Sequence, residues 1–193
     1  MKINLFCGPT YVDGFVNVDH RLEYSPDDAS NLTEFPWPWD DNSVEEVQVS
    51  HALEFLYESK ESYFSFWKEL YRVCKTGAKV TLQCYHPHSD EFRFHPERTR
   101  PIYERGLQQL LNTKRSLNLA GDTPFSLKLG IAFSIVDVEH DLTERFHRDV
   151  KVGKRTMDDV LRLADAHNNV IRSSRYTLQA EAIEEPFQEH GRA

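Results

Sequence analysis

Apolar and polar positions alternate in short runs along the first half of the chain, and each run predicts a strand. Ile3–Phe6 is the first and Phe15–Asp19 the second, with turn signals at Cys7-Gly8-Pro9 and Asp13-Gly14 between them. Val44–Ser50 follows, with Val47 and Val49 on one face, and then Lys79–Cys84. Ile131–Leu142 and Val170–Ile183 have the composition of two late strands. The period changes after Ser59, a plausible N-cap: Tyr63, Phe66, Trp67, Leu70 and Cys74 recur on one helical face, and Thr76-Gly77 ends the run. A second helix is predicted behind Pro101 on Tyr103, Leu107, Leu110 and Leu111. A third starts at a capping box, Thr156 to Asp159, carries Met157, Val160, Leu161 and Ala164, and is ended by Asn168-Asn169. Strands that alternate with helices or loops predict an α/β fold. Its expected form is an open, mainly parallel sheet with helices on both faces and an antiparallel hairpin at one edge.

Three segments break the periodicity. Glu23–Ser30 is polar and reads as loop. In Asn31–Trp39 two prolines at alternate positions forbid a helix interior and a central strand. That aromatic stretch is expected to be extended, as a lid over the core or as one wall of a ligand pocket. Leu117–Leu129 is expected to be irregular, with a turn at Gly121-Asp122.

Length and composition narrow the picture. A chain of 193 residues with 39% hydrophobic side chains can bury one sizeable core. Residues 1–183 are expected to form one domain and 184–193 a polar tail. A net charge of -8 argues against a general nucleic-acid binder, which needs a positive face. Cys7, Cys74 and Cys84 form no close pair, which suggests reduced thiols and a cytoplasmic setting. Neither a secretory signal nor a stretch long enough to span a membrane is evident, so no membrane partner is expected. Oligomeric state is not legible.

The chemistry-bearing residues gather at strand ends. Gly8 lets the backbone approach a ligand, and Asp19, ending the second strand, could accept hydrogen bonds from a ribose diol. The alternative is a plain strand–turn–strand whose terminal acid is exposed. His51 and Glu54 follow the third strand; His86 and His88 follow the fourth. Each is a candidate base for an acceptor that must lose a proton, or else a solvated or structural group. His86, His88, Asp90 and His95 match no zinc-ligand spacing, so no metal is expected. Arg93, Arg98, Arg100 and Arg105 form a basic run that could meet an acceptor's phosphate or carboxylate, or could pair with the chain's own acids.

Four stretches taken together resemble the class I S-adenosylmethionine-dependent methyltransferases. INLFCGPT resembles the glycine-rich first motif, and GFVNVD the second strand with its acid. NLTEFPWPWDDNSVEEVQVSHALEFL resembles the run from the adenine contact through the fourth family strand. LYRVCKTGAKVTLQ resembles the helix, turn and fifth strand, where relatives read much like RVLKPGG. The resemblance implies a Rossmann-like fold and an S-adenosylmethionine cofactor. It implies that Phe6, Cys7 and Gly8 form the turn under the methionine portion and that Asp19 binds the ribose. Asn31 and the Leu32 backbone would meet the adenine, and Ser50 and His51 would lie near the sulfonium and the acceptor. It implies methyl transfer to an acceptor that no motif identifies. Two other readings remain: a methyltransferase-like protein that has lost catalysis and works by binding a partner, or a different nucleotide-binding α/β enzyme. The departures are specific. Of the three alternate glycine positions of the first motif only Gly8 is kept, with Phe6 and Thr10 at the others. Phe55 stands where many relatives carry His, and Asn31 replaces an acid.

Overall fold

The computed structural model describes residues 1–56, 59–111 and 125–183. Its six strands are β1 (Lys2–Leu5), β2 (Val16–Val18), β3 (Val44–Ser50), β4 (Cys74–Tyr85), β5 (Phe133–Leu142) and β6 (Ile171–Ala180). They form one sheet in the order β2-β1-β3-β4-β6-β5. β1 pairs in parallel with β2 and β3, and β3 with β4; β6 is antiparallel to both β4 and β5. The α/β class, the mainly parallel sheet and the antiparallel edge are therefore all present. The last two strands are not joined by a tight turn, however. α5 (Glu144–Lys151) and α6 (Met157–Ala164) lie between them in sequence.

The sheet is one-sided. In β3 and β4, Val47, Val49, Val80, Leu82 and Cys84 are buried, while Glu46, Gln48, Lys79, Thr81 and Gln83 are half-buried or exposed. The register aligns these polar positions across strands: Lys2 with Glu46 and Asn4 with Gln48, then Gln48 with Thr81 and Thr81 with Thr177. The apolar face joins one core with α1 (Lys60–Val73) and α3 (Glu104–Leu111), through Phe66, Trp67, Leu70, Leu107 and Leu111. Burying side chains of this size stabilises by about 1.5–3 kcal/mol each before entropy is counted. α5 and α6 gather round a separate small cluster of Leu142, Val160, Ala164, Val170 and Ile171 at the end of the β5–β6 pair. So, among the described residues, α1 and α3 pack on the apolar face of the central sheet. The strands' own alternation gives the opposite face nothing apolar to bury.

No helix lies between β1 and β2. Asn4 and Asn17, both buried, hold that connection instead: the Asn4 amide donates to Thr10 O and Asn17 Oδ1, and Val12 N–H donates to Asn17 Oδ1. Helix α1 begins as expected, Ser59 Oγ accepting from Ser62 N–H. It ends earlier than expected, at Val73, and the chain enters β4 at once through Cys74. Gly77, at φ +83°, lies inside β4 beside a register shift rather than capping the helix. The capping box of α6 is complete, but that helix stops at Ala164, before Asn168. A single turn, α2 (Asp90–Arg93), follows β4, and Phe125–Leu129, expected to be irregular, is the short helix α4; the Gly121-Asp122 turn and the 184–193 tail lie outside the described residues. The aromatic loop is a lid over the core. Trp37 is buried between Trp39 and Phe66, its backbone N–H donates to Glu69, and the Arg72 guanidinium holds the Trp37 and Trp39 carbonyls. Among the described residues no helix is long and apolar enough to cross a membrane.

Candidate active site

The strand order creates a natural crevice. From β1 the chain moves to β2 on one side, then crosses back to β3 on the other, so its direction of travel reverses between β1 and β3. In open α/β sheets ligands bind at such a reversal, outside the carboxyl ends of the strands. The register Leu5–Val18 and Leu5–Val49 places Phe6, Asp19 and Ser50 level there. Asp19 and His51 stand on the two strands that flank β1, roughly 10 Å apart by strand spacing. Two residues at this reversal, Phe6 and His51, adopt left-handed backbone at φ +53° each. That conformation costs a non-glycine residue about 1–2 kcal/mol and recurs at functional sites.

The first-motif turn and Asp19 are joined directly. Gly8 N–H donates to Asp19 Oδ2 at 2.9 Å, and Cys7 N–H donates to Val18 O at 3.0 Å. Asp19 is 1% exposed. Its other hydrogen-bond donors come from Arg21: the backbone N–H at 3.0 Å and Nε at 2.9 Å on Oδ1, and Nη2 at 2.8 Å on Oδ2, while His20 Nδ1 lies 3.8 Å from Oδ1, beyond hydrogen-bond reach. Burial alone would raise the Asp19 pKa, but the bonds from Arg21 and Gly8 outweigh it and draw it down to about 2. A carboxylate has about four lone-pair sites, and here four donors fill them. Arg21 was not singled out from sequence. Its guanidinium also stacks on Tyr24, and it stands 3.6 Å from where a Cβ on Gly8 would lie. The signal was present, a basic residue two positions after a strand-end acid, but it becomes meaningful only when both side chains turn toward Gly8.

Phe6 packs toward α1. Its half-buried ring packs on the core with Phe66 of α1, centroids 6.3 Å apart. Asn31 is engaged locally: its Oδ1 accepts from Thr33 N–H and Oγ1, and its amide donates to Glu34. The buried Leu32 gives its carbonyl to Trp37 Nε1.

At the end of β3, His51 stacks on Tyr85 with centroids 4.0 Å apart. Its Nδ1 is 3.7 Å from Glu54 Oε1, close for charges but too long for a hydrogen bond. Glu54 is fully buried; Oε1 accepts Tyr85 N–H at 2.7 Å, and Oε2 has no hydrogen-bond partner. His86 and His88 form a different group at the end of β4, edge to face with one another and with Tyr103. Burial, then His88 and His140, lower the His86 pKa to about 4, so its ring is neutral and weakly basic near pH 7. His88 Nδ1 is bonded to Ala164 O. The structure thus places Phe6, Cys7, Gly8, Asp19, Ser50 and His51 at the carboxyl ends of β1, β2 and β3, and sets His86 and His88 apart beside β6. Among the described residues, no group of three or more His, Cys, Asp or Glu side chains could hold a metal.

No protein-family model and no curated protein matches the chain. Solved structures do. An S-adenosylmethionine-dependent methyltransferase from Archaeoglobus fulgidus superposes with a TM-score of 0.62 over 92% of this chain and 85% of its own, at 14% identity. Phosphoethanolamine N-methyltransferase 2 from Haemonchus contortus, solved with S-adenosyl-L-methionine, gives 0.51 over 94% of this chain and 48% of its own, at 14% identity. The [4+2]-cyclase SpnF gives 0.51 over 94% and 75%, at 12% identity, so the fold by itself does not name a reaction. The sheet order, the one antiparallel strand and these superpositions show that the chain has the class I S-adenosylmethionine-dependent methyltransferase fold.

Proposed function

We propose that the chain binds S-adenosylmethionine at the β1–β3 reversal and transfers its methyl group to a small acceptor. The observation that carries this reading is the Gly8–Asp19 pair: a glycine turn after β1 whose N–H orients a buried carboxylate at the end of β2. The residues fit the group. Asp19 keeps two backbone donors in every state, and the two bonds it takes from the Arg21 side chain equal in number the two hydroxyls of a ribose. Phe6, Cys7 and Gly8 would hold the methionine portion, Leu32 and Asn31 the adenine, and Ser50 with His51 the side facing the acceptor. When bound, the cofactor supplies an electrophilic methyl group on a sulfonium; the protein's part is position and exclusion of water. For an acceptor that must lose a proton, His51 is the base nearest the reversal, its ring stacked on Tyr85 and its Nδ1 3.7 Å from the buried Glu54 carboxylate. His86 suits that role poorly, since a base of pKa about 4 takes up little proton near neutrality. The three free, buried cysteines accord with a cytoplasmic enzyme.

Calorimetric titration of S-adenosylmethionine into wild type and Asp19→Ala tests the reading. Saturable heat from the wild type, weakened at least tenfold in the variant, supports it. No heat from the wild type, with folding verified, would favour a partner-binding protein that has lost the cofactor.

A further inference from the structure

A cavity of about 260 Å³ lies on the apolar side of the molecule, between the start of α1, the 100–103 segment, α3 and Phe125. Its walls are largely aromatic and aliphatic, including Tyr63, Phe64, Ile102, Tyr103 and Leu110, and among the described residues its one charged lining residue is Arg100. Arg100 is placed, not loose. Its Nε donates to Leu56 O at 3.0 Å, its backbone N–H donates to Glu54 O, and its guanidinium lies 4.0 Å over the Tyr63 ring. Among the described residues no carboxylate lies within ion-pair distance of it, in a chain with 31 acidic residues. A cation held against an aromatic wall and left without a counter-ion prepares the cavity for an anion.

We infer that this cavity binds a small monoanionic amphiphile, an aryl or alkyl carboxylate. One guanidinium matches one negative charge, and the aromatic walls match an apolar body. The volume equals about nine waters at ~30 Å³ each, room for a ligand of roughly ten heavy atoms. The turn that supplies the two carbonyls holding Arg100 is the one that follows His51, so one segment links the cavity's cation to the proposed methyl-transfer site. That the occupant is the methyl acceptor rests on the methyltransferase reading; that the cavity takes an acid does not.

The test uses three probes that share a phenylpropyl body, without cofactor: 3-phenylpropanoate, 3-phenylpropan-1-ol and 3-phenylpropylamine, each titrated by ligand-observed NMR. The acid is expected to bind at least tenfold tighter than the alcohol, and the amine weakest. Arg100→Gln should abolish the preference of acid over alcohol while leaving alcohol binding unchanged. Leu110→Trp, which fills the cavity, should remove all three. Equal binding of acid, alcohol and amine, no binding by the wild type, or an acid preference that survives Arg100→Gln would overturn the inference. Because cofactor is absent, failure here leaves the S-adenosylmethionine titration as an independent result.

Discussion

Replacing Arg21 with Ala should weaken the fold and tighten cofactor binding at the same time. In the free protein the Arg21 side chain makes two charge-assisted bonds to Asp19, at 2.9 and 2.8 Å. A ribose diol must displace both, because Gly8 N–H and Arg21 N–H already fill the other two acceptor sites. Arg21 is about half exposed, so its pair with Asp19 is partly screened, but Asp19 itself is buried. The bonds together are then worth about 1.5–3 kcal/mol, the range for hydrogen bonds to charged groups. Wild type should forfeit that amount on binding, about 10- to 150-fold in Kd, and Arg21→Ala should recover much of it. The same substitution leaves Asp19 with two donors and should lower stability by a similar amount. Urea unfolding and S-adenosylmethionine calorimetry on both proteins read the two effects. If the variant is folded and binds no more tightly than wild type, Arg21 does not occupy the ribose position and the reasoning is refuted.

Phe6→Gly exchanges a left-handed phenylalanine, which costs about 1–2 kcal/mol, for loss of ring packing on Phe66 and a more flexible backbone. Stability should change by no more than about 1 kcal/mol and cofactor affinity should not improve; a tenfold gain by calorimetry would show that the ring obstructs the site. Acid should destabilise the protein in two stages. His86 is neutral when folded, so its contribution is whole above its ordinary value near 6.5 and is lost as pH falls through about 4. Asp19 contributes fully above its ordinary 3.8 and its share is lost as pH falls through about 2. Denaturation midpoints measured between pH 7 and about pH 2 should fall, and should fall less between pH 6.5 and 4 in His86→Phe. Glu54→Gln should be neutral or stabilising, since an amide oxygen can still accept the Tyr85 N–H while a buried charge with one unpartnered oxygen is removed. Glu54→Ala should cost about 1–3 kcal/mol by leaving that N–H unsatisfied, and chemical denaturation of the pair separates the two outcomes.

The strands and α1 were legible because their signals are local. Val47 and Val49 alternate with Gln48, and the Ser59 cap precedes the Tyr63–Leu70 stripe. One-sidedness was also written there: Asn4, Gln48 and Thr81 are polar at interior strand positions where a sheet covered on both faces would be apolar. What escaped depends on distant partners. Gly77 reads locally as a helix cap, yet pairing of Val44 with Cys74 draws that segment into β4. The aromatic loop reads equally as lid or pocket wall until Arg72 and Glu69, more than 30 positions onward, are seen to hold it on α1. In the site, Gly8, Asp19 and His51 were legible as strand-end residues. Arg21 was not, nor was the neutral His86 cage, because both depend on contacts that no short window contains.

The most direct measurement is a crystal structure of the protein grown with S-adenosylmethionine. The account predicts density at the β1–β3 reversal, with ribose hydroxyls on the Asp19 carboxylate where the Arg21 guanidinium stood, and Arg21 turned toward solvent. Cofactor bound elsewhere, or Arg21 still seated on Asp19 beside a bound ligand, would contradict it.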